Sequence, residues 1–325
     1  MKSAPASPAL TAPTAPSAAS KIAVATTRRS VLGRPIGFTP KVSLRVYGAL
    51  VRLAIVLVVA ACGNSSPSAP PPTQYGTTDR PVTLQIPDNY DSGKQYPLIM
   101  VLHGYSASGF VQEAYFGIKA EVTAGNAFVI APDGLIDSTG AEYWNADPGC
   151  CDFDHTNPDD SGYLRSILDA VRADYPIDHT WLIGHSNGGY MAYRMACDHA
   201  DIVEDIIVLA GDAATDPSVC NPVKPVEVLH LHGDHDTEVP YAQAAMRSVD
   251  QWAGHDTCAQ TSHAGPSYDL DGSVPGAETT TQIFDGCPAG IDLELWTLVG
   301  SGHVPALTPT FEPTAYQWFL DHVRP

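Results

Sequence analysis

The apolar run Trp181-Leu182-Ile183 leads directly into Gly184-His185-Ser186-Asn187-Gly188, and beyond it Met191 and Met195 mark one face of a helix-like segment. That order is strand, sharp turn, helix, with a serine at the apex. A serine held there takes a strained backbone conformation, and the residues two positions to either side must lack bulk so that strand and helix can approach. Gly184 and Gly188 meet that need. The five-residue pattern recurs by chance, and its placement between a strand and a helix is what gives it weight.

A neutral hydroxyl is a poor nucleophile, so Ser186 needs a base, and the base needs an anionic partner to orient it. On a strand-turn-helix serine the chain order is Ser, then Asp or Glu, then His. Residues 226–232 read as the strand before the acid, and the turn at 233–240 offers Asp234 and Asp236. Residues 291–299 read as the next strand and lead into Gly300-Ser301-Gly302-His303. Past the acid turn lie His255, His263, His303 and His322; the first two flank or enter a cysteine-bracketed excursion and His322 falls in a C-terminal helix. His303 remains as the base.

The attack creates an oxyanion that needs fixed donors. The expected pair is the N–H of Asn187, after the serine, and the N–H of Tyr105, in the loop Leu102-His103-Gly104-Tyr105. The Tyr105 ring is a candidate to line the substrate cleft. Trp144, in the long loop after Asp133-Gly134, is a candidate to stack on a sugar or aromatic acyl group; a place in the core is the alternative.

The apolar runs at 98–102, 128–131, 181–183, 206–210 and 228–231 are short and mostly continuous, as in strands of a parallel sheet buried on both faces. Between them, Leu164, Ile167, Leu168 and Val171 have helical spacing behind a cap at Asp160 or Ser161. Val82, Leu84 and Ile86 alternate with polar residues as a half-buried strand ending at Pro87. The fold class is therefore α/β, a mostly parallel central sheet with helices on both faces, beginning near Arg80 and filling residues 80–325. The segments 133–160 and 256–282 read as irregular, and loops that long tend to be functional.

Residues 1–61 read as a leader: an Ala/Pro/Ser/Thr tract, a basic stretch, then an apolar run from Leu53 to Ala61 that is short against the ~20 residues a membrane span needs. Val59-Ala60-Ala61-Cys62 resembles a bacterial lipobox, which implies lipidation at Cys62, a tether at 62–79 and a protein of the cell envelope or secreted. Of the 17 Lys and Arg, eight precede Cys62, so nine remain against 36 Asp and Glu. A surface this acidic repels nucleic acid and anionic headgroups, and any membrane contact is assigned to the lipid. Six cysteines follow, an even number that in an exported chain reads as disulfides. Cys197 with Cys220 and Cys258 with Cys287 each bracket one excursion between elements. Cys150 and Cys151 are either a vicinal disulfide or two free thiols.

The set His103-Gly104-Tyr105, Ala131-Pro132-Asp133-Gly134, Tyr143-Trp144-Asn145, Cys150-Cys151, residues 159–164, residues 184–189, His232-Gly233 through Asp236 to Val239-Pro240-Tyr241, and Gly302-His303 resembles the polyhydroxybutyrate depolymerase-type esterases. These are relatives of the feruloyl and acetylxylan esterases of carbohydrate esterase family 1. The resemblance runs over essentially all of 80–325. It implies an α/β-hydrolase fold, an ester substrate, often polymeric, and no cofactor or metal. It also selects Asp236 over Asp234 as the acid. Members often carry cysteine where this chain has Tyr105, and that departure resembles the Gly-Tyr oxyanion loop of polyester-cleaving hydrolases. Two rivals come from other classes. His230, His232, Asp234 and His235 fit a zinc-hydrolase motif, which needs further ligands well downstream where only 90 residues follow His235. A non-catalytic surface-binding protein on a hydrolase scaffold is the other.

Overall fold

The continuous apolar runs become the strands of one large sheet. The computed structural model describes residues 71–323; the leader and residues 62–70, with Cys62, lie outside the described residues. In chain order the elements are β1 (Gln74–Gly76), β2 (Pro81–Thr83), β3 (Tyr96–Leu102), α1 (Gly109–Phe116), α2 (Lys119–Ala124), β4 (Phe128–Ile130), β5 (Leu135–Ile136), β6 (Glu142–Tyr143), α3 (Asp160–Asp174), β7 (Ile177–His185), α4 (Asn187–Asp198), β8 (Asp205–Leu209), β9 (Glu227–Gly233), α5 (Tyr241–His255), β10 (Ser262–Ala264), β11 (Thr279–Phe284), β12 (Leu293–Leu298) and α6 (Phe311–Asp321). Eight strands form the main sheet in the order β10-β11-β12-β9-β8-β7-β3-β4. The six from β12 to β4 are parallel; β10 and β11 add an antiparallel edge.

Alternate residues of the central strands divide between two cores. Leu98, Met100, Leu102, Ile206 and Val208 face α3, α4 and α5, while Ile99, Val101, Ile207 and Leu209 face α1, α2 and α6. Both sets are fully buried. That is why these strands read as unbroken apolar runs rather than as alternation; each such side chain contributes roughly 1.5–3 kcal/mol of burial.

Several expectations need correction. The folded region begins before Arg80, because β1 lies inside the stretch read as a tether and pairs with β2 just beyond it. The strand expected through Ile86 stops at Thr83, with one bridge from Gln85 to Val129 beyond it. The α3 cap is Asp159, whose Oδ1 accepts from the Gly162 N–H at 2.8 Å. Asp160 is instead buried against Arg80 at 2.7 Å. The segment 256–282 holds the edge strand β10 and the start of β11; the Thr-Thr-Thr-Gln pattern of β11 is half-buried, and threonines carry little apolar signal. The segment 133–160 is irregular apart from the β5–β6 hairpin, and side chains of Asp137, Asp147 and Asp152 hold its turns by accepting nearby N–H groups. Cys197–Cys220 and Cys258–Cys287 are bonded as expected, and Cys150–Cys151 is a vicinal disulfide.

Candidate active site

Ser186 sits between β7 and α4 at φ 52°, ψ −121°. The glycines are required by space. A Cβ on Gly184 would lie 2.2 Å from the Gly188 carbonyl oxygen, and one on Gly188 would lie 2.1 Å from that of Leu102. The tight turn therefore lifts the serine above the carboxyl ends of the parallel strands, where open α/β sheets place their ligands.

The acid turn follows β9 and the histidine loop follows β12, two strands that are neighbours in the sheet. Parallel pairing thus brings residues 67 and 117 positions apart into one hydrogen-bonded line. Ser186 Oγ lies 2.9 Å from His303 Nε2, and His303 Nδ1 lies 2.7 Å from Asp236 Oδ2. With Nδ1–H donating to the carboxylate, Nε2 is free to accept the serine proton; this tautomer is assigned from the bonding pattern. Asp236 Oδ1 accepts the N–H groups of Glu238 at 2.8 Å and Val239 at 2.9 Å. Burial alone would raise the Asp236 carboxyl, but hydrogen bonds from His232, His303 and Val239 outweigh it and hold it well below the usual carboxylate range. Asp234 points elsewhere, accepting the Gly300 N–H at 2.6 Å.

His185 is structural. Its Nε2 bonds the His303 carbonyl at 2.9 Å, and burial pushes its imidazole down to about 4, so it stays neutral at neutral pH and pins the histidine loop. Tyr105 lines the same cavity as Ser186 and Asn187 follows the serine in the chain; among the described residues neither N–H donates to another protein group. The Asn187 side chain is a feature sequence reasoning missed. Fully buried, it accepts the Trp144 N–H at 2.7 Å and donates to the Trp144 carbonyl at 2.9 Å, tying the 143–151 loop to the serine turn.

Trp144 does not line the cleft, contrary to the expectation for it. Its side chain is fully buried, its ring packs 4.9 Å from that of His103, and its indole N–H donates to the His103 carbonyl at 3.1 Å. The indole's single donor is satisfied inside the protein, so nothing of it is offered to a ligand. A cavity of about 330 Å³ opens instead beside Ser186 and His303, with Tyr105, Val111, Tyr115 and Glu238 among its walls. The Tyr105 hydroxyl donates to Asp137 at 2.5 Å, which holds the ring at the mouth.

The zinc motif is not assembled. His230 and His232 are fully buried and stacked 5.2 Å apart, whereas the His235 side chain is 74% exposed. Their nitrogens are consumed in a chain: the Tyr193 hydroxyl to His230 Nδ1 at 2.8 Å, His230 Nε2 to His232 Nδ1 at 2.9 Å, and His232 Nε2 to the Val239 carbonyl at 2.8 Å, with Asp236 Oδ2 3.2 Å away. Burial drives the His230 imidazole well below its usual pKa. Among the described residues two other groups could gather round a cation, His103 with Asp133 and Glu142, and Glu227 with Asp292 and His322; none of these lines the serine cleft. His103 already accepts from the Gly134 N–H and bonds the Gly104 carbonyl, so both its nitrogens are committed. His232→Leu is expected to leave Asp236 and His230 short of a buried partner, lowering stability by about 1–3 kcal/mol. A thermal melt read beside kcat checks it: loss of activity with an unchanged melting temperature would contradict this role.

Comparison with known proteins agrees with the architecture. The model of the family described as "Putative esterase" matches residues 74–271. The chain belongs to the esterase family. It is 28% identical over 227 residues to "Putative esterase NocK" of Nocardia uniformis subsp. tsuyamanensis, a match over 58% of this chain and 64% of that protein, so it spans under two thirds of that relative's length. Feruloyl esterase D of Neurospora crassa is 26% identical over 279 residues, covering 79% of this chain and 88% of the other. The solved acetyl xylan esterase of Aspergillus awamori superposes with a TM-score of 0.56 at 16% identity, over 77% of this chain and 98% of that one, which shows the shared fold.

Proposed function

We propose that the protein is a serine ester hydrolase working through an acyl-enzyme, with Ser186, His303 and Asp236 as its catalytic residues. The observation that carries this reading is the unbroken line from Ser186 Oγ through His303 to a doubly anchored Asp236. His303 takes the serine proton as Oγ attacks the ester carbonyl, and the N–H groups of Asn187 and Tyr105 hold the oxyanion. His303 then protonates the leaving alcohol. In the second half it removes a proton from water, whose oxygen attacks the acyl carbon and releases the acid. Asp236 keeps the imidazole in the tautomer both halves need.

The substrate class we infer is an acetyl or feruloyl ester of a plant polysaccharide. Relatives named feruloyl esterases support it, and so do the rings of Tyr105 and Tyr115 in the cleft wall. A polyhydroxyalkanoate-type polyester is the second reading, favoured by Phe153 and Val304, which are 64% and 63% exposed. Val304 lines the cleft and Phe153 packs 5.3 Å from the Tyr105 ring, so this apolar surface borders the mouth and suits a solid polymer. Export to an oxidising compartment fits the three disulfides, with the folded region from β1 onward as the catalytic part and Cys62 as the anchor.

An organophosphonate is expected to abolish p-nitrophenyl ester hydrolysis while EDTA leaves it intact. The reverse pattern would overturn the serine mechanism. Rates on methyl ferulate, acetylated xylan and poly(3-hydroxybutyrate) then separate the substrate classes.

A further inference from the structure

We propose that Glu238 is a specificity-determining residue of the cleft, a fixed negative charge that turns away esters with an anionic acyl group and hastens departure of the carboxylate product. The proposal rests on the reading of Ser186 as nucleophile. Glu238 Oε2 lies 3.8 Å from His303 Nε2, the atom that faces Ser186 Oγ. Among the described residues that line the cleft, Glu238 is the one Asp, Glu, Lys or Arg. The basic side chains that line it with Glu238 are the imidazoles of His185 and His303.

Its position is not that of a loose surface glutamate. The Glu238 N–H is bonded to Asp236 Oδ1, so the residue that orients His303 also fixes where the Glu238 side chain begins. The side chain itself is 71% exposed, and among the described residues its one ion-pair contact is with the His303 imidazole. A charge at the wall of a partly enclosed cleft acts on a bound anion more strongly than it would in bulk water, over a range set by a Debye length of about 8 Å at physiological salt.

The chemistry makes the sign useful. Ester and water become an alcohol and a carboxylic acid, and the acid ionises at neutral pH. The substrate enters neutral and the product leaves as an anion, so one carboxylate admits the first and repels the second. Glu238 exchanges no proton in this scheme and is not a catalytic residue.

The experiment compares kcat/KM for p-nitrophenyl 4-methylbenzoate and mono-p-nitrophenyl terephthalate, a neutral and an anionic ester of similar shape. Their ratio favours the neutral ester in the unmodified protein and is expected to fall about tenfold in Glu238→Gln at low ionic strength. In 0.5 M salt the difference between the two proteins shrinks. Inhibition by 4-methylbenzoate is expected to tighten in the variant while inhibition by 4-methylbenzamide does not, a split that a merely structural role would not produce. Asp250→Asn, which removes the same charge from an exposed face of α5, provides the control. A ratio that moves less than twofold in Glu238→Gln, or equally in Asp250→Asn, overturns the proposal. Absence of Ser186-dependent turnover of both esters overturns the parent reading, and this one with it.

Discussion

Ser186→Ala is expected to lower kcat by on the order of 10⁶-fold while the protein stays folded. The substitution removes the one atom that forms the bond to the acyl group and leaves the oxyanion donors and cleft in place. Alanine inherits the φ of 52°, so the backbone strain persists and the melting temperature changes little. Ser186→Gly is equally inactive but relieves that strain, and is expected to melt higher by an amount equivalent to about 1 kcal/mol. The pair separates loss of the nucleophile from disturbance of the turn. Burst kinetics and thermal melts on both variants check it, and a loss of less than tenfold in Ser186→Ala would remove Ser186 from the mechanism.

Asp236→Asn is expected to cost about 10⁴-fold in kcat. An amide can present its NH₂ to His303 Nδ1, which favours the tautomer with the proton on Nε2, the wrong one for taking the serine proton. Asp236 also accepts from Glu238 and Val239 through Oδ1, so the amide cannot turn without setting a donor against two donors. Asp234→Asn removes a charge but keeps an amide oxygen that can still accept the Gly300 N–H, and is expected to cost less than tenfold. Steady-state kinetics on the two variants decide between the acids, since the reverse order would move the role to Asp234.

Much of this molecule is legible in the chain because the information is local. Strands buried on both faces announce themselves as unbroken apolar runs, and a serine between strand and helix with glycines two residues away has few other geometries. The cysteine pairs Cys197–Cys220 and Cys258–Cys287 bracket single excursions, so their proximity follows from where elements begin and end. Where the signal is diluted, reading falters. β11 carries three threonines in its first three positions and pairs only at an antiparallel edge, so its apolar content is too low to stand out from a loop.

Burial of a particular aromatic or histidine is a different kind of fact, because it depends on which distant segments meet around it. Trp144 has the neighbours of a cleft residue in sequence and the neighbours of a core residue in space, since His103, Arg80 and Asn187 converge on it from three separate elements. His230 and His232 have metal-ligand spacing, yet β9 is an interior strand, and the groups that receive them are Tyr193 from α4 and the Val239 carbonyl.

The sequence by itself determined the α/β class and the serine turn, because each follows from periodicity or from steric limits within a few residues. The tertiary structure alone decided which side chains face the substrate. Parallel pairing of β9 with β12 carries Asp236, Glu238 and His303 to one end of the sheet, and whether a ring or a charge ends in the core or at the mouth is set by long-range packing that no local pattern encodes.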